Sequence, residues 1–379
     1  MAGELERDVL FAVIRAGLGQ SVSVPPITDD VFEQLIRFGK RQSLFPIIWQ
    51  GIQTLCPDNR WAPAVQTDLF NCITRNVWRE NGLKTARRAL DGANIPYVLL
   101  KGAVIQHLYP EPWMRTSSDI DILVPEEDLD AAVRAMEENT AFKAEEKGYH
   151  DVSMMSDNYH LELHFSLKER EEKLDPLLAK AWDYTVPAEE GSCRRFTPEY
   201  ELFYVVAHME HHFIGGGLGV RPFIDLWLLL HKTDCDKDAL NALLDACGLT
   251  TFFDTCRRLC AAWFDGAEHD DATELLEKYC LSGGVLGSDA LFYVARQRKN
   301  KGWRYVLSRV WIPKDELISS YGDEGEAKHS TLYYQVKRWN SWVFRKDRQQ
   351  ELKGQIDQLQ KVPEEAITEF NKLVDMMDL

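Results

Sequence analysis

The chain has 379 residues, 45% hydrophobic and 27% charged, enough for two or three domains with their own cores. A formal net charge of -16 repels phosphate backbones at long range, which argues against non-specific binding to DNA or anionic membranes as a main role. No basic leader with an apolar core opens the sequence, no uncharged run approaches a membrane span, and eight cysteines without a Cys-x-x-Cys pair fit reduced thiols, so a cytoplasmic location is expected.

Residues 1–90 read as a helical module. "DDVFEQLIRFGKRQSLFPIIWQGI" has apolar residues at three- and four-residue spacing, with Asp29 or Asp30 as N-cap. "WAPAVQTDLFNCITRNVWRENGLKTARRALDGA" continues that period and closes on Gly92. At "NIPYVLLKG" the pattern changes to a buried strand, followed by a short helix in "GAVIQHLY" and a second strand in "SSDIDILV". "PEEDLDAAVRAMEEN" is an amphipathic helix with an acidic first turn. "HDVSMMS" and "YHLELHFSL" alternate as two further strands. Residues 91–190 therefore form an α/β core with a small mixed sheet. After "VPAEEGSC" the strand signal disappears. "TPEYELFYVVAHMEHHF" starts a helix at Pro198, "VRPFIDLWLLLHK" resumes one, and residues 191–379 read as a helical domain. The expected class is α+β: a small mixed-sheet core flanked by N-terminal and C-terminal helical modules.

Residues i and i+2 of a strand share a face, so Asp119 and Asp121 lie together while Ile120 and Ile122 point the other way. Two carboxylates this close destabilise each other unless a cation or basic group lies between them. Mg²⁺, with Mn²⁺ as the alternative, suits such an all-oxygen site. A solvated edge strand with an acidic face is the competing reading of a bare Asp-x-Asp. Upstream, a strand runs into Lys101-Gly102 at the start of a helix, where backbone N–H groups and an ammonium suit a phosphate. Downstream, Glu162 shares a strand face with His160 and His164.

The order of strand, glycine turn, helix, Asp-x-Asp strand and later acidic strand resembles the polymerase-beta-like nucleotidyltransferase superfamily. "YVLLKGAVIQHLYPEPWMRTSSDIDILV" is similar to its uncharacterised nucleotidyltransferase branch, as are "LELHFSL", "AHMEHHF", "RPFIDLWLLL" and "SRVWIPKDELISSYG", so the likeness runs from about Pro96 to beyond Tyr321. It implies Asp119, Asp121 and Glu162 as metal-holding catalytic carboxylates, with Lys101, Gly102, Arg115 and Ser118 at the nucleotide. A nucleoside monophosphate would pass from a nucleoside triphosphate to an acceptor hydroxyl or phosphate, on a small molecule or protein sooner than on nucleic acid. The turn departs from the superfamily's usual Gly-Ser or Gly-Gly, because Ala103 carries no hydroxyl; either Lys101 stands in for it or nucleotide binding is weak.

Two alternatives stay open. A degenerate transferase fold would bind a nucleotide or partner without catalysis. A zinc hydrolase would use His164, His208 and His212, the last two one helical turn apart in "AHMEHH". These same histidines are candidates for a substrate cleft, and Arg221 and Asp225 are spaced for an ion pair along one helix. "RQRKNKGWRYVLSRVWIPK", basic with interleaved aromatics, fits a nucleotide tail or a solvated helix.

Overall fold

Four helices open the chain: α1 (Arg7–Gly17), α2 (Asp29–Arg41), α3 (Phe45–Leu55) and the 31-residue α4 (Ala62–Gly92). The structure, a computed structural model, describes residues 6–188, 191–215, 217–282 and 364–379. Glycines let α1 and α3 cross closely. A Cβ on Gly17 would fall on the Ile47 carbonyl, and one on Gly51 on that of Val13. The cap of α2 is Thr28, whose Oγ1 accepts from the Val31 N–H, and not either of the aspartates expected there. Helix α4 ends at Gly92, but the left-handed residue that turns the chain is Asn94, at φ 54°.

A seven-stranded mixed sheet follows: β1 (Tyr97–Leu99), β2 (Asp119–Leu123), β3 (Lys143–Lys147), β4 (Asp151–Met155), β5 (His160–His164), β6 (Thr185–Pro187) and β7 (Cys193–Phe196), in the order β3-β4-β5-β2-β1-β7-β6. Strand β2 is in the middle, parallel to β5 and antiparallel to β1, so the edge-strand reading of Asp-x-Asp fails. Three strands escaped the sequence. Edge strand β3, "KAEEK", is exposed along its whole length and has no apolar alternation to betray it. Short β6 and β7 carry the sheet past residue 190, into the stretch read as helical.

One face of the sheet is dry. Ile120, Ile122, Leu161 and Leu163 pack with Leu83, Ala86 and Leu90 of α4 and with Ala132 and Met136 of α6 (Leu129–Asn139). On the opposite face Val98, Leu100 and Leu123 join a second core shared by the N-terminal and C-terminal helices. The short α5 (Gly102–Ile105) and α7 (Asp175–Leu178) connect strands and helices. The C-terminal layer holds α8 (Pro198–Gly215), α9 (Arg221–Lys232), α10 (Lys237–Cys247), α11 (Thr250–Cys260), α12 (Asp271–Ser282) and α13 (Glu364–Met376). The fold is thus α+β, with helices on both sides of a small mixed sheet. All eight cysteines are free thiols, with Cys256 and Cys260 in the core. No helix among the described residues is long and apolar enough to cross a membrane. The basic stretch 296–314 and "SRVWIPKDELISSYG" lie outside the described residues.

Candidate active site

The parallel pairing of β2 and β5 places Asp121 directly opposite Glu162, and Asp119 opposite His160. Because both strands alternate, Asp119, Asp121, Glu162 and His164 come to one face, away from the dry core. The ligand atoms of Asp121, Glu162 and His164 all lie within 4.8 Å of one another. His164 Nε2 is 3.4 Å from Asp121 Oδ1 and 3.4 Å from Glu162 Oε2, between the two carboxylates. Asp119, outside this triplet, accepts a 2.9 Å hydrogen bond at Oδ1 from Ser117 Oγ.

Charge at the triplet is strongly coupled. Burial alone would raise the Asp121 carboxyl, but the His164 hydrogen bond and the Lys101 ammonium outweigh it and pull the pKa down to about 2. Burial likewise opposes a charged His164, yet its bonds to Asp121 and Glu162 hold the imidazole up at about 9. The His164 hydrogen bond also lowers Glu162, against burial. At neutral pH the metal-free site therefore holds two carboxylates bridged by an imidazolium. Sequence reading placed His164 in the substrate cleft and not in the acidic group; its spacing two residues beyond Glu162 was the available signal.

Lys101 has φ 38° and ψ −101°, a strained conformation for a residue with a side chain. Its Nζ is 5.5 Å from the centre of the Tyr204 ring on α8, and its charge acts on Asp121 and on His208 and His212. Gly102 is needed for close packing, since a Cβ there would come within 2.8 Å of Arg115 Nη1 and 3.2 Å of Ser117 Oγ.

The structure corrects the part expected of Arg115. Its guanidinium is buried and engages Asp225 through two bonds, Nε to Oδ1 at 2.9 Å and Nη2 to Oδ2 at 2.8 Å, and Tyr109 Oη donates to the same carboxylate at 2.7 Å. That leaves Arg115 structural rather than free to meet a phosphate. The Arg221–Asp225 pair read from helix spacing is displaced as well: Asp225 serves Arg115, and Arg221 Nη1 donates to the Thr116 carbonyl at 2.9 Å. Ser118 is exposed, and its neighbour Ser117 is the serine that touches the Asp119 carboxylate.

His208 and His212 lie on α8 with Nε2 atoms 2.8 Å apart, and Glu169 is nearby. His164 is not with them, so the three-histidine centre needed by a zinc hydrolase does not assemble; among the described residues the one metal-capable triplet is Asp121, Glu162 and His164.

No curated protein sequence matches the chain. One solved structure, the solution structure of the antibiotic-resistance factor ANT(2'')-Ia, is similar at 15% identity and a TM-score of 0.34, over 45% of this chain and 91% of that one. A family model described as uncharacterised nucleotidyltransferase matches residues 29–265. The match takes in α2 to α4, upstream of Pro96 where the sequence likeness begins, and stops short of "SRVWIPKDELISSYG". It spans more than half of the chain, and the chain belongs to this family of nucleotidyltransferase enzymes.

Proposed function

We propose that this nucleotidyltransferase transfers a nucleoside monophosphate from a nucleoside triphosphate to an acceptor hydroxyl or phosphate, with Mg²⁺ or Mn²⁺ at Asp119, Asp121 and Glu162. The observation that carries the reading is the direct pairing of Asp121 with Glu162 on a central strand pair, with Asp119 on the same face. The donor set fits a hard divalent ion: three carboxylates supply oxygen ligands, and a positive imidazolium now lies between two of them, where a cation is favoured. When bound, the ion would neutralise charge on the attacking and leaving oxygens.

The chain's own groups do the rest. The Lys101 ammonium, on the side of Asp121, attracts the triphosphate and opposes the build-up of negative charge as pyrophosphate leaves. Ser117 orients Asp119. Glu162, only half-buried, would take the proton of the acceptor hydroxyl as its oxygen bonds to the α-phosphorus and the bond to pyrophosphate breaks. Helices α1–α3 and α8–α12, which share one core on the carboxylate side of the sheet, would shape the acceptor cleft. A small molecule or protein suits the acidic chain better than nucleic acid, and eight free thiols support a reducing, cytoplasmic setting.

Calorimetry of each nucleoside triphosphate with Mg²⁺, on wild type and on Asp119→Asn and Asp121→Asn, tests the reading. Binding should be metal-dependent in wild type and lost in both variants, whereas equal binding by all three proteins would remove the carboxylates from the nucleotide site. The turn at Gly102-Ala103, which lacks a hydroxyl, supports a second reading, a module that binds nucleotide without transferring it. Failure of an α-labelled nucleotide to pass label to any acceptor, the protein included, would favour that one.

A further inference from the structure

Outside the carboxylate group, two metal-ligating atoms come close together on α8. His208 and His212 are one turn apart, their rings are perpendicular with centres 4.2 Å apart, and their Nε2 atoms face each other at 2.8 Å. We propose that His208 and His212 chelate a late first-row divalent metal, of the Ni²⁺, Cu²⁺ and Zn²⁺ class, at a site separate from the carboxylates and independent of the nucleotide reading.

The geometry favours this class. With metal–nitrogen bonds of about 2.0–2.1 Å, nitrogens at the observed separation subtend roughly 85–90° at the ion, the angle of tetragonal or octahedral coordination. A tetrahedral zinc site needs the nitrogens only about 0.5 Å further apart, within the reach of small χ adjustments. Both imidazoles are kept neutral, as ligands must be. Burial lowers His208 well below its ordinary value and His212 to about 4, and the Lys101 charge acts in the same direction.

The neighbours agree on orientation. The Glu169 carboxylate lies 3.9 Å from His208 Nδ1 and 3.6 Å from His211 Nε2, on the side of His208 away from His212, as an outer carboxylate lies behind a metal-bound histidine. His208 Nδ1 is buried without a hydrogen-bond partner, and a small shift would give it Glu169. Lys101 is the opposing charge, since its ammonium acts on both rings, and Arg221 also acts on His212. The Glu169 carboxylate partly offsets them. The remaining coordination positions would be open to water or to an anionic ligand drawn in by Lys101.

The test is titration of the full chain, stripped with chelator and held in millimolar Mg²⁺, with Ni²⁺ and Zn²⁺. One site is expected in the Asp121→Asn/Glu162→Gln double variant, where the carboxylate group is removed, and it should weaken at least about tenfold when His208→Gln or His212→Gln is added to that background. Absence of binding in the double variant overturns the proposal, as does undiminished binding after both histidine substitutions. Should either variant fail to fold, Cu²⁺ electron paramagnetic resonance of the wild type decides. Coupling to two imidazole nitrogens supports the site, and a spectrum with no nitrogen coupling overturns it.

Discussion

Arg115 and Asp225 form a buried two-bond ion pair that ties the segment entering β2 to helix α9. The next residues are fastened too: the Thr116 carbonyl accepts from Arg221, and the Thr116 hydroxyl donates to the Ser43 carbonyl between α2 and α3. The backbone that delivers Asp119 and Asp121 is thus held from both helical layers. Breaking such a pair leaves an uncompensated charge in the core, so Asp225→Ala should cost about 3–5 kcal/mol of stability. An apolar double variant, Arg115→Met/Asp225→Leu, should recover much of that loss. Urea unfolding of the three proteins measures both values.

Ser117 offers a finer probe of the carboxylates. Its hydroxyl donates to Asp119 Oδ1. Ser117→Ala should weaken Mn²⁺ binding by about 10–100-fold while Asp121→Asn abolishes it. Mn²⁺ paramagnetic resonance titration separates the two, and an unchanged affinity in Ser117→Ala would leave Asp119 outside the metal site.

His164 should make the metal-free protein sensitive to alkali. Its pKa is raised from 6.5 to about 9 in the folded state, so the native state holds this proton more tightly than the unfolded chain. The resulting stability is complete below about pH 6.5 and is lost as pH rises through about 9. The change approaches 3 kcal/mol at most, and the depression of Asp121 belongs to the same contact and is not added to it. In chelator, the urea midpoint of wild type should fall between pH 6.5 and 9.5, and that of His164→Gln should stay nearly level.

Glu201 should act as a latent weakness. It is buried on α8 with Oε1 unpartnered, and burial raises its carboxyl from 4.5 to about 7. The native state therefore disfavours ionisation, and the penalty grows from about pH 4.5 until it levels off above 7. Glu201→Gln should stabilise the protein by up to about 3 kcal/mol at pH 8 and by little at pH 5. Thermal melts at the two pH values provide the comparison.

Local pattern made much of the core readable. The strands at Tyr97, Asp119, Asp151 and His160 and the helix at Leu129 follow from alternation or from three- and four-residue spacing. What escaped depends on contacts distant in sequence. Strand β3 is a strand because β4 pairs with it, not because "KAEEK" asks to be one. Arg115 looked like a phosphate ligand because it precedes Asp-x-Asp, and only its meeting with Asp225, 110 residues later, shows where the guanidinium goes. His164 was visible as a polar strand residue, but its place between two carboxylates depends on the β2–β5 pairing.

That pairing makes the carboxylate triplet a gauge of sheet register. Strands β2 and β5 run side by side in the same direction, so the partner of each acid is fixed by a crossover and not by a tight turn. A slip of one residue would carry Glu162 and His164 together to the dry face beside α4 and α6 and leave Asp119 and Asp121 on the other. No isolated strand or hairpin from this chain can reproduce the constellation. Capture of a divalent ion across Asp121 and Glu162 would therefore report, in one optical or magnetic signal, that the centre of the sheet has closed in its native alignment.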